Sequence, residues 1–230
     1  MQDTNPIARL WHHDWLRLRN IIANQAYKYR TEPFTLKSGK KSHHYVDMRQ
    51  VITTEAGLSL LGMLLTSSIR HEFPDANAVA GVELSAVPIA ASVSFHSHLT
   101  RLVSVPYNAN PLDMVIVRKA QKEHGTQKRV ELYEPNRANA KIVVVEDVTT
   151  TGGSAMGAVD TLIEEGLDVL GVIVVVDRSE GEAMDAAEEW LYKGNPIHFV
   201  NIFTLHDIVA EYKEIQETLH QHRTGQCPLR

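Results

Sequence analysis

The chain has 230 residues, 43% of them hydrophobic and 22% charged, which is typical of a folded domain and excludes a disordered protein. Its formal net charge of -5 predicts no general affinity for polyanions, so we expect no nucleic-acid partner. The lone cysteine, Cys227, excludes an internal disulfide and fits a reducing compartment. The sequence shows neither a secretory signal nor an apolar run of roughly 20 residues, so we expect a cytoplasmic protein without a membrane partner.

Apolar periodicity predicts helices and strands in alternation. Residues 7–29 have the spacing of an amphipathic helix, and the following segment, with its Ser-Gly turn, predicts a hairpin or a short exposed loop. Further strands are predicted at 78–82, 102–105, 114–117, 130–132, 142–145 and 169–176, and further helices at 58–69, 88–97, 154–165, 182–190 and after Asp207. This order indicates βαβ units and a mostly parallel sheet, whose ligands bind beyond the carboxyl ends of the strands.

The strand at 142–145 leads into EDVTTTGGS, the stretch richest in chemical groups. Unsatisfied N–H groups at a helix start favour anions, and two glycines let the backbone approach one closely, so we expect a phosphate cradle in the turn. The patterns GxxxxGK[ST] and GxGxxG are absent. Glu146 and Asp147 would repel a bare phosphate, whereas a sugar phosphate offers them hydroxyls. A turn that merely caps the helix needs only one Thr or Asp side chain, so capping alone explains this stretch of acids and hydroxyls less well.

VVVEDVTTTGGS resembles the phosphoribosyl pyrophosphate (PRPP) signature of type I phosphoribosyltransferases. The resemblance implies an α/β fold with a mostly parallel twisted sheet flanked by helices and a small N-terminal hood. It implies that Glu146 and Asp147 contact the ribose hydroxyls, and that Asp147 stabilises the ribosyl ring as positive charge develops. The other PRPP-binding residues that it implies here are Val148, Thr149, Thr150, Thr151, Gly152, Gly153 and Ser154.

The segment VRKAQKEHG is a basic loop between two predicted strands. Most charge runs are solvated surface, but the spacing RKxxKxHG resembles the mobile catalytic loop of orotate phosphoribosyltransferases. That resemblance implies that Arg118, Lys119, Lys122 and His124 bind PRPP, and that Lys119, Lys122 and His124 act in catalysis with Asp147. Cations on such a lid neutralise the departing pyrophosphate and exclude water.

Two more segments resemble the same family: FTLKSGKKS matches its FxLKSGxxS, and VDRSEG matches its VDRxEG. They imply orotate binding by Lys37, Thr150 and Arg178, since a guanidinium can pair with a carboxylate and stack on a ring. GVELSAVPIAA resembles the pyrophosphate loop of the family, with Ser85 where a glycine is usual. HHYVDMR differs from bacterial versions, which read more like PYFFN.

The chain has twelve histidines, but their surroundings offer few metal ligands. His96 and His98 have no carboxylate or cysteine at ligand spacing, so no metal site made by protein side chains is predicted. The resemblance instead implies Mg²⁺ that is carried by PRPP and keeps part of its hydration.

Together these features predict one phosphoribosyltransferase domain over residues 1–230: an N-terminal helix and hood to about residue 50, a core over about 51–210, and a C-terminal helix and tail. The resemblance implies pentosyl transfer from PRPP to orotate in de novo UMP synthesis, by a homodimer with shared active sites. Two alternatives are a phosphoribosyltransferase for another base and a non-catalytic PRPP-sensing regulator. The orotate-like loop and Arg178 argue against the first, and the acidic net charge argues against the second.

Overall fold

The computed structural model describes residues 12–35, 39, 41–103, 110–119, 129–179, 191–192 and 195–224. The helices are α1 His12–Ile21, which continues into a π-helical turn Ile22–Ala26, then α2 Arg49–Ile52, α3 Glu55–Glu72, α4 Ala86–Val103, α5 Gly153–Glu164 and α6 Leu205–Thr224, with a 3-10 turn at Glu134–Asn139. The strands are β1 Tyr27–Thr35, β2 Lys41–Val46, β3 Ala78–Val82, β4 Asp113–Val117, β5 Val130–Glu131, β6 Lys141–Thr149, β7 Asp168–Asp177, β8 Leu191–Tyr192, β9 Asn195–Pro196 and β10 His198–Thr204.

A six-stranded sheet forms the centre of the fold, in the order β10-β7-β6-β3-β4-β5. Its neighbouring strands are parallel except for β4 and β5, which are antiparallel. All five residues of β3 are buried, as expected for a strand that is covered on both faces. The predicted α/β class and mostly parallel sheet are therefore confirmed.

Helices cover the two faces of the sheet through two separate apolar clusters. Helices α1, α3, α4 and α6 contribute to the first cluster, and α5 contributes to the second. Strand β6 serves both clusters because successive side chains point to opposite faces: Val143 and Val145 enter the first, whereas Ile142 and Val144 enter the second.

Strands β1 and β2 pair as an antiparallel hairpin, the hood. The helix that precedes the hood is fixed to the core, since Trp15 donates from Nε1 to the Ile202 carbonyl at 3.4 Å and its ring lies 4.9 Å from that of Phe203. Arg19 and Asn20 of α1 contact Glu211 of α6 at 2.5 and 2.9 Å. The last helix therefore braces the N-terminal part of the chain.

Two predictions about the elements were wrong, and one strand was missed. Residues 27–29 belong to β1 rather than to the first helix, because Tyr27 and its neighbours pair with β2. Residues 102–103 end α4 rather than start a strand; Leu102 continues the helical spacing of Phe95 and Leu99. Strand β10 was not predicted. The helix predicted at 182–190 lies outside the described residues.

In the described part of the chain, we find no helix both long and apolar enough to cross a membrane.

Candidate active site

Strand β6 carries the acidic pair at its carboxyl end. We predicted Glu146 and Asp147 in the turn after the strand, but β6 continues to Thr149, so both are strand residues. The extension has a physical cause: parallel pairing with β7 persists through Glu146, Val148 and Thr149. The carboxylates are therefore held by the sheet, and the turn starts only after Thr149.

The turn itself has a backbone geometry that suits a phosphate cradle. Gly152 has φ 74°, a left-handed conformation that favours glycine, and its N–H donates to Thr149 Oγ1 at 3.0 Å. Helix α5 begins at the next residue, Gly153. The positive end of the helix dipole and its first N–H groups therefore face the end of the strand.

A cavity of about 580 Å³ lies at this edge of the sheet. It brings the cradle together with Lys119 from the end of β4, Arg178 from the end of β7, and the hood. The lining residues are Thr35, Tyr45, Val46, Lys119, Glu146, Val148, Thr149, Thr150, Thr151, Gly152, Gly153, Ser154 and Arg178. Most of the predicted site residues that the structure describes therefore surround this one cavity.

The remaining predicted residues fall into two groups. Of the described residues, Arg118 and Asp147 do not line the cavity, although each is adjacent in sequence to a residue that does. Lys37, Lys122 and His124 lie outside the described residues.

Glu146 has an unusual electrostatic environment. Only 7% of the residue is exposed, and burial, with the adjacent negative charge of Asp147, raises the pKa of Glu146 to about 8. Lys119 and Ser154 act in the opposite direction. Oε2 of Glu146 is buried without a hydrogen-bond partner in the described structure. Burial therefore favours the neutral form of this carboxyl, which can donate a hydrogen bond to a ligand oxygen.

Arg178 bridges the core and the hood. Its backbone N–H donates to the Thr149 carbonyl at 3.0 Å, and its Nη2 donates to the His44 carbonyl at 2.5 Å and reaches Ser42 Oγ at 3.4 Å. Burial lowers the pKa of Arg178. Its Nε is buried and makes no hydrogen bond within the described structure.

Two acids hold the start of the basic loop. Arg118 Nε lies 3.2 Å from Glu131 Oε1, and Arg118 Nη1 lies 3.8 Å from Glu83 Oε1. The Lys119 N–H donates to Glu83 Oε2 at 3.3 Å. Arg118 therefore faces carboxylates here, while Lys119 reaches the cavity.

Sequence reasoning did not single out several residues at this site. Glu83 and Glu131 are distant from each other in sequence, and no motif marks them as partners of Arg118. The hairpin prediction covered Tyr45 and Val46 but did not reveal which hood residues face the cavity. The departure of HHYVDMR from bacterial versions was the one available signal.

The segment GVELSA joins the end of β3 to the start of α4, and its peptide bond from Glu83 to Leu84 is cis. Gly81 allows a close approach, because a Cβ there would lie 2.5 Å from the Ala86 carbonyl oxygen. Ser85, where the resemblance led us to expect a glycine, is partly exposed. Among the described residues, no group of three or more His, Cys, Asp or Glu side chains is arranged to hold a metal.

Comparison with known proteins agrees with this geometry. The phosphoribosyl transferase domain family matches residues 54–207. The orotate phosphoribosyltransferase of Pyrococcus furiosus is 36% identical over 184 residues, which cover 80% of this chain and 91% of the relative. That of Aquifex aeolicus is 35% identical over 195 residues, covering 84% and 96%.

Solved structures give the same result. The orotate phosphoribosyltransferase of Mycobacterium tuberculosis superposes with a TM-score of 0.63 at 28% identity, covering 85% of this chain and 98% of the other. The family match includes the cradle and Arg178. The resemblance predicted from the sequence is confirmed, and the chain belongs to the phosphoribosyltransferase family.

Proposed function

We propose that this chain is an orotate phosphoribosyltransferase, which transfers the 5-phosphoribosyl group from PRPP to orotate. The products are orotidine 5′-monophosphate and pyrophosphate, and the reaction serves de novo UMP synthesis. One observation carries the proposal: a phosphate cradle and a half-buried arginine face the same cavity. The curated relatives described above are named for this activity.

The cradle holds the donor. Hydroxyls of Thr149, Thr150, Thr151 and Ser154 and the N–H of Gly153 bind the 5-phosphate at the start of α5, while Gly152, whose N–H donates to Thr149 Oγ1, shapes the turn around it. Glu146 and Asp147, with the backbone of Val148 between them, bind the ribose hydroxyls. A protonated Glu146 donates to one hydroxyl oxygen, while the Asp147 carboxylate accepts from another.

The acceptor lies on the hood side. The guanidinium of Arg178 pairs with the orotate carboxylate through its unpartnered Nε, and Lys37 and Thr150 contact the same ligand. A pyrimidine ring nitrogen gives up its proton and bonds to ribose C1, while the bond from C1 to the pyrophosphate oxygen breaks and its electron pair leaves with pyrophosphate. Asp147 stabilises the positive charge that develops on the ribosyl ring.

The basic loop acts on the leaving group. Arg118, Lys119 and Lys122 neutralise the charge that grows on pyrophosphate, and His124 donates a hydrogen bond or a proton to it. Lys119 lines the cavity next to the buried Glu146, which supports this role. Mg²⁺ enters as part of the substrate, bound to the pyrophosphate oxygens of PRPP, and it needs few protein ligands because it keeps several waters.

The enzyme works as a cytoplasmic homodimer in which the basic loop beyond Lys119 reaches the active site of the other subunit, while Lys119 lines the cavity of its own chain. Residues 1–230 form one domain. An apolar stripe on α4 supports the dimer: Phe95, Leu99 and Leu102 are 60%, 38% and 64% exposed at helical spacing. Contiguous exposed apolar side chains of this kind favour protein–protein contact.

A base panel tests the acceptor. Purified protein is mixed with Mg²⁺ and PRPP, and the loss of the free base is followed for orotate, uracil, adenine and hypoxanthine in parallel. We expect consumption of orotate alone, because only orotate carries the carboxylate that Arg178 binds. Turnover of another base in place of orotate would contradict the proposed substrate.

A further inference from the structure

The direction of the Arg178 side chain depends on the hood. Its backbone is fixed to the core through Thr149, but its guanidinium is held by neutral acceptors on β2, the His44 carbonyl at 2.5 Å and Ser42 Oγ at 3.4 Å. Ser42 Oγ also exchanges hydrogen bonds of 3.1 Å with the backbone of His44. A shift of β2 would therefore move the guanidinium relative to the cavity.

The side chain of His44 fixes this part of β2. Its Nδ1 shares a hydrogen bond of 2.7 Å with the Tyr27 hydroxyl on β1, and the two rings stack with centroids 5.9 Å apart. In the hairpin register Tyr29 lies opposite His44, so Tyr27 is its diagonal neighbour, a position within reach of aromatic side chains. The ring of Tyr29 lies 5.5 Å from that of His44.

Tyr27 is itself fixed. Only 6% of it is exposed, and its ring packs edge-on against Tyr212 of α6 with centroids 4.9 Å apart. Burial raises the pKa of Tyr27, with smaller contributions from Tyr212 and Tyr29, while the positive charge of Arg178 opposes them. The hydroxyl is thus a neutral hydrogen-bonding group, close to Arg178 and anchored to the last helix.

We infer that Tyr27 and His44 are positioning residues for Arg178, and that their hydrogen bond keeps the guanidinium in the geometry that receives the acceptor carboxylate. The inference rests on the proposed function, in which Arg178 binds orotate. Tyr27 does not line the cavity and contacts His44, so its effect passes through Arg178 to the acceptor side. The donor cradle does not depend on it.

Tyr27→Phe removes only the hydroxyl. We expect the KM for orotate to rise roughly five- to tenfold, the effect of losing one buried hydrogen bond, while the KM for PRPP stays within about twofold. Tyr29→Phe is the matched control, since it removes the same group from the same strand at a ring that is 54% exposed. We expect it to leave both KM values unchanged. His44→Gln keeps a hydrogen-bonding group at this position, so it should retain more orotate affinity than His44→Leu.

Arg178→Ala is measured beside these variants to separate the inference from the proposed function. If Arg178→Ala leaves the KM for orotate unchanged, the role of Arg178 fails, and the inference fails with it. If Arg178→Ala raises that KM but Tyr27→Phe does not, the inference alone is overturned. Equal rises in both KM values for Tyr27→Phe, with a lower Tm, would show a merely structural role and would also overturn it.

Discussion

Glu146 combines burial with a neighbouring carboxylate. Its folded-state pKa of about 8 lies above the ordinary value of 4.5. Between these two pH values the folded protein therefore keeps a proton on Glu146 that the unfolded chain has released. Below about pH 4.5 Glu146 is protonated in both states, so it has no pH-dependent effect on stability. As the pH rises from there to about 8 it progressively lowers the free energy of unfolding, and above about pH 8 the loss of stability is complete. Glu146 therefore costs the folded protein stability as the pH rises above its ordinary pKa.

Glu146→Gln replaces the acid with a neutral group of the same shape. We expect the variant to be more stable than the wild type by roughly 1–3 kcal/mol at pH 9, and by little at pH 5. Urea unfolding across this pH range measures the difference. Glu214→Gln, at an exposed position on α6, is the control and should show no such trend. An effect of Glu146→Gln that does not change with pH would contradict the assigned protonation state.

At the scale of the element, the junction of β6 and α5 depends on one backbone conformation. Gly152 has φ 74°, so Gly152→Ala places a Cβ in a left-handed conformation and should destabilise the fold by about 1–2 kcal/mol while weakening PRPP binding. Gly157→Ala, within α5, is the matched substitution: its added Cβ meets nothing within 4 Å. It should stabilise by about 0.5–1 kcal/mol with PRPP affinity retained.

Thermal unfolding and PRPP titration measure both glycine variants. Equal effects of the two substitutions would show that the left-handed turn does not shape the cradle.

The predictability of each element follows from its burial. The continuous β-branched runs of β6 and β7 are easy to recognise, since both strands are covered on both faces. Strand β10 lies at the edge of the sheet, and its pattern is mixed, with His198 exposed and Asn201 half-buried, so it escaped prediction. The end of α4 was mistaken for a strand because a short apolar run does not reveal its period.

At the scale of the whole molecule, the site combines residues that are distant in sequence. The motifs predicted the cradle, Lys119 and Arg178, because those groups carry the chemistry of a phosphate and a carboxylate ligand. The contact of Arg178 with His44, 134 positions away, follows only from the packing of the hood on the core. Pairing of Arg118 with Glu83 likewise requires the sheet to bring β3 beside β4.

A shared active site predicts complementation between inactive chains. One chain carries Lys122→Ala with His124→Ala, which leaves Lys119 in its own cavity intact, and the other carries Asp147→Asn. Because each mixed dimer would contain one intact site, random mixing should restore about a quarter of wild-type activity.

The α4 stripe provides the control for that mixture. Adding Phe95→Ser and Leu99→Ser to both chains should abolish the recovery, since these side chains are proposed to join the subunits. Absence of recovery in the unmodified mixture, with dimers present in sedimentation, would contradict the shared site.

The most direct measurement is the parallel assay of orotate loss and pyrophosphate release by the wild type and by Lys119→Ala, with Lys213→Ala, an exposed lysine on α6, as control. We predict that orotate loss equals pyrophosphate release in the wild type and in the control, and that the rate of both falls roughly 100- to 1000-fold in Lys119→Ala. Calorimetric binding of PRPP without pyrophosphate release, whatever base is offered, would contradict the proposed transfer and indicate a PRPP-sensing regulator.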